Sequence, residues 1–310
     1  MSGASFPVAL AYSITSVVDA ARSVGVLDAL AVDGPASAAQ VATRCGLDRR
    51  AVLVLVEALV ALGLIETDGA GIYRIGSSPL MGRELWAGLE QTLRSGEPAQ
   101  PHDTSSSAAR EYPARVEELA RQTTDDARLV AELLAAPNLE IFDLASGAAQ
   151  WSRALVVREP TCRVTAVDLP EVLETTRRLV GSNGAAGRFT FLAADLTQAD
   201  LGESRCDLAL VGNLCHLLGE EANRALLLRV GRLVRPGGRV AIIDVLPGDQ
   251  TDVVVKTLYD MSLLLRTSRG GLYALAAYAE WLSEAGFVGI ERTILGGTPV
   301  RSVIVARRPR

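Results

Sequence analysis

The sequence predicts an α/β protein with a Rossmann-like, mostly parallel sheet of seven strands. A C-terminal antiparallel hairpin closes the sheet, and a smaller all-helical, winged-helix domain precedes it. Three observations predict this. Beyond residue 138, short apolar runs alternate with helical stretches, the pattern of parallel strands joined by crossover helices. The last two apolar runs, Ile290–Ile294 and Arg301–Ala306, are separated by a turn holding Gly296-Gly297, so they pair as a hairpin. Before residue 80 the order is helix, helix, helix, hairpin, which is the order of a winged helix.

A length of 310 residues suits two domains of ordinary size. Hydrophobic residues at 49% and charged residues at 22% mark a globular chain rather than a disordered one. The net charge of −5 counts against a dedicated nucleic-acid binder, which presents a basic face. The four cysteines, Cys45, Cys162, Cys206 and Cys215, form no C-x-x-C pair, and no histidine lies near them at zinc spacing. Neither a disulfide framework nor a metal site is expected, and reduced thiols fit a cytoplasmic protein. No apolar run is long enough to cross a membrane, and the N-terminus lacks the basic start of a secretion signal.

Residues 8–31 read as one helix with a wide apolar face, including Val17, Val18, Val24, Leu27 and Leu30. A helix apolar nearly all round must be buried, and a small domain offers little core for it. Burial against a second subunit through residues 1–35 is therefore expected. A short helix over 37–46 follows, capped by Ser37. The next begins after the N-cap residue Asp48 and ends at Gly63. Leu64–Thr67 and Ile72–Ile75 flank a turn and form the hairpin. A winged helix can read DNA, but residues 1–80 hold five Arg and no Lys against seven Asp plus Glu. The helix that would enter the groove has Arg49 and Arg50 at its start and is otherwise apolar, which leaves few side chains to reach bases. Helices are expected at 83–95, 107–121 and 123–135, with a Pro-rich loop at 96–103. Pro137-Asn138 marks a boundary. The expected domains are thus 1–80, a helical linker and lid at 81–137, and a sheet domain at 138–310.

The strands of that sheet are expected at Leu139–Leu144, Arg163–Val167, Phe189–Leu192, Leu208–Val211, Arg239–Ile243 and the two hairpin runs. Helices follow the first strand as far as Val157, start again at Pro170, and recur at 219–234 and Tyr278–Ala285. Arg235-Pro-Gly-Gly stops a helix and launches a strand.

Three acids end three successive strands: Asp143, Asp168 and Asp195. The carboxyl ends of parallel strands open on one crevice, where an acid after the second strand accepts two hydrogen bonds from a ribose diol. Asp195 suits an adenine amino group. The turn after the first strand, Leu144-Ala-Ser-Gly-Ala-Ala-Gln-Trp-Ser152, is neither G-x-G-x-x-G nor a phosphate-binding loop, but its small residues let a ligand approach the backbone.

These motifs resemble those of the class I S-adenosylmethionine-dependent methyltransferases. Within that class the chain is similar to the dimeric small-molecule O-methyltransferases of plant phenylpropanoid and bacterial natural-product chemistry. The N-terminal helices and winged helix match the family's dimerisation module, and Phe142-Asp-Leu-Ala-Ser-Gly-Ala-Ala, Ala166-Val-Asp-Leu-Pro-Glu-Val-Leu, Ala194-Asp-Leu, Asn213-Leu-Cys-His, Arg235-Pro-Gly-Gly-Arg and Glu284-Ala-Gly-Phe match in order, so the likeness covers almost the whole chain. The resemblance implies an N-terminal dimerisation module, hence a homodimer, and S-adenosylmethionine as cofactor, leaving as S-adenosylhomocysteine, with no metal. It implies that Asp143, Ser146 and Gly147 wrap the methionine part. Asp168 and Leu169 would hold the ribose and adenine, Asp195 and Leu196 would frame the adenine, and Asn213 would lie beneath the sulfonium. His216 falls where the family places a general base. The family's turn carries three or four glycines, and here Gly147 stands among Ala145, Ala148 and Ala149. A methyl is tolerated there at negative φ and costly at positive φ.

Methyl transfer from a positive sulfur is an in-line displacement with a neutral leaving group. The protein must align the partners and take a proton from the acceptor. A phenol titrates near ~10, within reach of a histidine base titrating near ~6.5. Asp244 and Asp249 are candidates for the acid that orients His216, and His102 has no evident role. Tyr259, Met261, Leu264, Leu265 and Tyr273 suit a substrate pocket walled by 255–275, while Trp86 and Trp281 suit packing. The expected reaction is methylation of a hydroxyl, most simply a phenol, on a small natural product. C- or N-methylation, or a cofactor-dependent cyclisation, decarboxylation or hydroxylation, keeps the same fold. A DNA-binding regulator is the reading the acidic wing disfavours.

Overall fold

A computed structural model describes residues 8–76, 86–181 and 184–310. The three expected segments are arranged as two compact units, Met1–Arg83 and Glu84–Arg310, so the helices after residue 84 belong with the sheet.

In the first unit the expected single helix over 8–31 is two, α1 (Val8–Ser23) and α2 (Val26–Val32). Gly25 breaks it: its φ of 78° is left-handed, and its N–H donates to Arg22 O at 2.9 Å. A two-residue strand β1 (Ala36–Ser37) precedes α3 (Ala38–Cys45). Ser37 and Gln40 form a reciprocal capping box at the start of α3. Asp48 caps α4 (Arg49–Ala61) by accepting from Ala51 N at 2.9 Å. Val52, Val56 and Leu59, on one face of α4, meet Leu27, Leu30, Val41 and Tyr73 in the core. The hairpin β2 (Ile65–Thr67) and β3 (Ile72–Ile75) joins β1 in the sheet order β1-β3-β2.

The second unit opens with α5 (Leu89–Ser95), α6 (Ser105–Gln122) and α7 (Thr124–Leu134). The expected start of the first of these, at 83–85, lies outside the described residues. Thr104 accepts from Ser107 N, so α6 begins two residues before the expected position. The sheet follows as β4 (Glu140–Leu144), α8 (Gln150–Arg158), β5 (Arg163–Asp168), α9 (Pro170–Gly181), β6 (Phe189–Ala193), β7 (Cys206–Gly212) and α10 (Glu220–Leu233). It is completed by β8 (Val234–Asp244), α11 (Val253–Arg266), α12 (Leu275–Glu284), β9 (Val288–Ile294) and β10 (Ser302–Arg307). Strand order is β6-β5-β4-β7-β8-β10-β9, and β10 runs antiparallel to both neighbours. The seven-stranded mixed sheet expected from the sequence is present. The segment Arg235-Pro-Gly-Gly lies inside β8 rather than before it, with a register shift against β7.

Alternation along the strands feeds both faces. On β7, Ala209 and Val211 pack with Leu226, Val230, Tyr278 and Trp281 of α10 and α12, whereas Leu208 and Leu210 pack with Val130, Leu134, Trp151 and Leu155 of α7 and α8. Trp151 and Trp281 are fully buried, the latter in the packing role expected of it; Trp86 is half-buried. Strand order reverses at β4, which pairs with β5 on one side and β7 on the other. This is the switch point where an open α/β sheet leaves a crevice at its carboxyl ends.

Candidate active site

A cavity of about 300 Å³ occupies that crevice, wholly within the second unit. Its floor is the turn after β4. Ala145, Gly147 and Ala149 have φ of 54°, 53° and 53°, so three alternate residues are left-handed and two of them carry a methyl. This is the costly case anticipated above, because an L-residue in that region crowds its own carbonyl by ~1–2 kcal/mol. At Gly147 an added Cβ would make ordinary contact with Val116, 3.5 Å away, so backbone conformation and not room selects glycine there.

The two alanines differ in a way that predicts different responses. Ala145 is half-buried, while Ala149 is fully buried in the core cluster with Trp151 and Leu155. Removing the Ala149 methyl gives up about 0.8 kcal/mol of burial, which offsets the strain relieved. Ala145→Gly is therefore expected to raise thermal stability by about 0.5–1 kcal/mol, with Ala149→Gly near neutral. Paired melting curves check this, and equal effects of the two would contradict the strain account.

Asp168 stands beside the turn at the end of β5. Its two oxygens accept from Gly147 N and Leu169 N, each at 2.8 Å. Burial pushes its carboxyl up to about 6, against the pull of those two N–H groups. Asp195 accepts from Ser105 Oγ at 2.5 Å, from Thr197 Oγ1 at 2.7 Å and from Thr197 N at 2.8 Å. Partial burial works against its charge, but these hydroxyl and amide bonds hold the carboxyl below its ordinary value. Leu169 and Leu196 line the cavity next to these acids, and Ser146 places a buried hydroxyl there without a partner. Asn213, at a φ of 54°, also lines it, with its N–H donating to Ile243 O at 2.8 Å.

Asp143 is not at the cavity wall. It lies behind the turn, fully buried, accepting from Ser152 Oγ at 2.5 Å. Burial pushes it up to about 7, the Ser152 hydroxyl pulling it down and Asp168 adding to the rise.

Across the cavity His216 sits in a 3-10 turn, Cys215–Leu217, and is 4% exposed. Its Nδ1 lies 2.5 Å from Asp244 Oδ1, and its backbone N–H donates to Asp244 Oδ2 at 3.1 Å. Asp244, the last residue of β8, also accepts from Tyr278 OH at 3.1 Å and Val245 N at 2.8 Å. Four donors on one carboxylate place the ring proton of a neutral His216 on Nδ1, and Nε2 keeps a lone pair. Of the two acids considered for this partnership, Asp244 holds it. Asp249 instead pairs with Arg292 and accepts from Ser302 Oγ.

Of the expected pocket residues, Tyr259 lines the cavity, its hydroxyl 3.3 Å from His216 Nε2. Met261, Leu265 and Tyr273 do not line it. The reason is α11, a helix the sequence reading passed over: Tyr259 and Arg266, seven residues apart, share the face toward the cavity, and Met261 and Leu265 are turned from it. Leu264, considered with them, is 40% exposed. Tyr273 packs edge-on against Tyr278 and Trp281, with its hydroxyl donating to Leu218 O at 2.7 Å. Sequence reading missed Tyr112, Arg229, Arg266 and Arg301, and gave His102 no role; all five line the cavity. The strap carrying His102 is tied to the end of α11 by Gln100 N to Leu265 O, 3.0 Å, and His102 N to Arg266 O, 2.6 Å. Burial, with Arg115 and Arg266 nearby, lowers His102 to about 4, so it is neutral at ordinary pH.

The residues present fit an adenosyl sulfonium: two acids and two leucines for the nucleoside, an unpaired buried hydroxyl and a tight backbone turn beside them, and a histidine facing them. A more open groove elsewhere in the unit is lined by Arg121, Arg128, Arg153 and Arg158 and holds no histidine. No group of metal-binding side chains occurs among the described residues, and no helix among them is long and apolar enough to cross a membrane.

Comparison with known proteins identifies the family. Residues 101–288 match the model of the O-methyltransferase domain, and residues 7–77 that of the O-methyltransferase dimerisation domain. The chain is 26% identical to the tetracenomycin polyketide synthesis 8-O-methyl transferase of Streptomyces glaucescens, over 89% of this chain and 88% of that one. It is 29% identical to the 3-hydroxy-5-methyl-1-naphthoate 3-O-methyltransferase of Streptomyces sahachiroi, over 94% and 91%. Among solved structures, human N-acetylserotonin methyltransferase in complex with S-adenosylmethionine superposes with a TM-score of 0.76 at 23% identity over the whole of both chains, a likeness of fold.

Proposed function

The chain belongs to the O-methyltransferase family and is an S-adenosylmethionine-dependent methyltransferase, and from that premise we propose that it methylates a phenolic hydroxyl of a small natural product with His216 as general base. The observation that carries this reading is the His216–Asp244 pair opening on the same cavity as Asp168 and Asp195. When bound, the cofactor supplies a methyl group on a positively charged sulfur that leaves as a neutral thioether. Asp168 and Leu169 hold the ribose and the adenine face, Asp195 and Leu196 frame the adenine edge, and Ser146, Gly147 and Asn213 border the methionine end. Asp143 acts from behind, bracing the turn through Ser152. Asp244 fixes the His216 tautomer and stabilises the imidazolium formed when Nε2 takes the acceptor's proton. The Streptomyces relatives act on polyketide and hydroxynaphthoate substrates, which supports an aromatic acceptor. Four unpaired cysteines suit a reducing cytoplasm.

The test is a calorimetric titration with S-adenosylhomocysteine, followed by incubation with S-adenosylmethionine and 3-hydroxy-1-naphthoate or 2-naphthol. Binding, and one added methyl on oxygen by mass spectrometry, are expected; an absence of binding heat sinks the reading. We further propose a homodimer formed through residues 1–35. The match to the dimerisation domain over residues 7–77 supports this, and Tyr12 of α1 and Val32 of α2, 75% and 83% exposed, are apolar side chains that the unit leaves uncovered. Light scattering is expected to return twice the chain mass, and a monomer mass at high concentration would reject this interface.

A further inference from the structure

The geometry points to Tyr259 as a second catalytic residue, which receives the acceptor's proton and passes its own to His216. The inference rests on the general-base reading of His216. With Nδ1–H held by Asp244, the free nitrogen of the ring is Nε2, and the group facing it at 3.3 Å is the Tyr259 hydroxyl. That hydroxyl must donate, because Nε2 has only a lone pair to offer. Its own lone pairs then remain for a hydroxyl arriving in the cavity that both residues line.

An alternative has the acceptor push Tyr259 aside and reach Nε2 directly. The surroundings of the phenol ring resist that. The Arg266 guanidinium stands over it, 5.7 Å from the centroid, and the His216 ring meets it edge-on at 5.8 Å and 67°. The Tyr259 carbonyl accepts from Ser262 Oγ at 2.7 Å, and Arg266 donates from Nε to Ser262 O at 3.1 Å and from one terminal nitrogen to Ser262 Oγ at 3.1 Å, so ring, cation and helix are tied together. Burial also raises the Tyr259 hydroxyl above its ordinary value, with Arg266 pulling the other way, so a proton is present to be handed on.

The step balances as two proton transfers. The acceptor O–H bond breaks as a bond forms to Tyr259 Oη. The original Tyr259 O–H bond breaks as its proton bonds to His216 Nε2. The acceptor oxygen keeps the electron pair and becomes the nucleophile. The imidazolium is held at Nδ1 by Asp244, and its extra proton returns through Tyr259 to water after the product leaves.

The chain has two histidines, which permits a test without turnover. In full-length protein labelled with 15N in the histidine rings and saturated with S-adenosylhomocysteine, Tyr259→Phe is expected to move the His216 Nε2 resonance downfield, as the hydrogen bond is lost. The His102 resonances should stay in place. With 3-hydroxy-1-naphthoate or 2-naphthol as acceptor, the same variant should lose about tenfold or more in kcat. KM should change by less than about threefold, and cofactor affinity should hold. Adding Tyr259→Phe to His216→Asn should cost nothing further, because the two act as one unit. An unmoved Nε2 resonance, an undiminished kcat, or losses that multiply in the double variant would each overturn the relay. If the wild-type protein methylates none of these phenols, the proposed function fails, and the resonance of Nε2 still decides whether Tyr259 serves His216.

Discussion

Replacing His216 with Asn is expected to lower methyl transfer to a phenol by about 10²–10⁴-fold, with affinity for S-adenosylhomocysteine unchanged. The size follows from what the proton costs. A phenol near ~10 is almost wholly protonated at neutral pH and a poor nucleophile in that form. The substituted chain keeps an amide near Asp244, and the carboxylate still accepts from the backbone N–H of residue 216, Val245 N and Tyr278 OH, so a lost fold is not mistaken for a lost base. Asp244→Asn should approach the same loss by a different route. An amide facing Nδ1 no longer requires the ring proton there, and the tautomer with Nε2 protonated cannot accept. Full turnover in His216→Asn would mean that alignment alone drives the reaction. The His216–Asp244 contact of 2.5 Å would then be structural.

Much of this molecule is legible in the amino-acid order. The capping residues Ser37 and Asp48 mark helix starts in the first unit, and the near-continuous apolar runs of the central strands, with an acid at or just beyond the ends of β4, β5 and β6, place the sheet and its crevice. What was not legible depends on direction rather than type. Asp143, the penultimate residue of β4, pairs with Ala166, two residues short of Asp168 at the end of β5, and it packs behind the turn against Ser152 while Asp168 lines the cavity. The sequence does not mark the last residue of a strand, so that offset in depth was not legible. Helix α11 escaped notice because Val253–Arg266 is apolar on most of its circumference, which blurs the helical period. Its capping residue Asp252, accepting from Val254 N at 2.8 Å, was the available clue. Without that helix, Tyr259 could not be separated from Met261 and Leu265, and Arg266 went unnamed. Asp244 lies 28 residues from His216, so only the pairing of β8 beside β7 brings the two together.

Asp168→Ala should weaken S-adenosylhomocysteine binding by about ten- to hundredfold, the worth of hydrogen bonds to a charged acceptor at ~1.5–3 kcal/mol. The pH dependence of the unaltered protein offers a second, independent check. Burial raises the Asp168 carboxyl from 3.8 to about 6, so the folded chain binds this proton more tightly than the unfolded chain does. Between those values the ligand-free protein therefore loses stability as pH rises, because ionisation is easier once the chain unfolds. A ligand whose hydroxyls donate to the carboxylate prefers the ionised form. Its affinity is expected to fall as pH drops through about 6, and the thermal shift it produces should grow over the same interval as pH rises. Asp143, pushed to about 7, lies one layer behind and does not line the cavity, so Asp143→Asn should flatten the stability slope while leaving the affinity profile in place. Calorimetric titrations and melting curves from pH 5 to 8 on the two variants separate these roles. An affinity profile that followed Asp143 instead of Asp168 would move the ribose contact away from the end of β5.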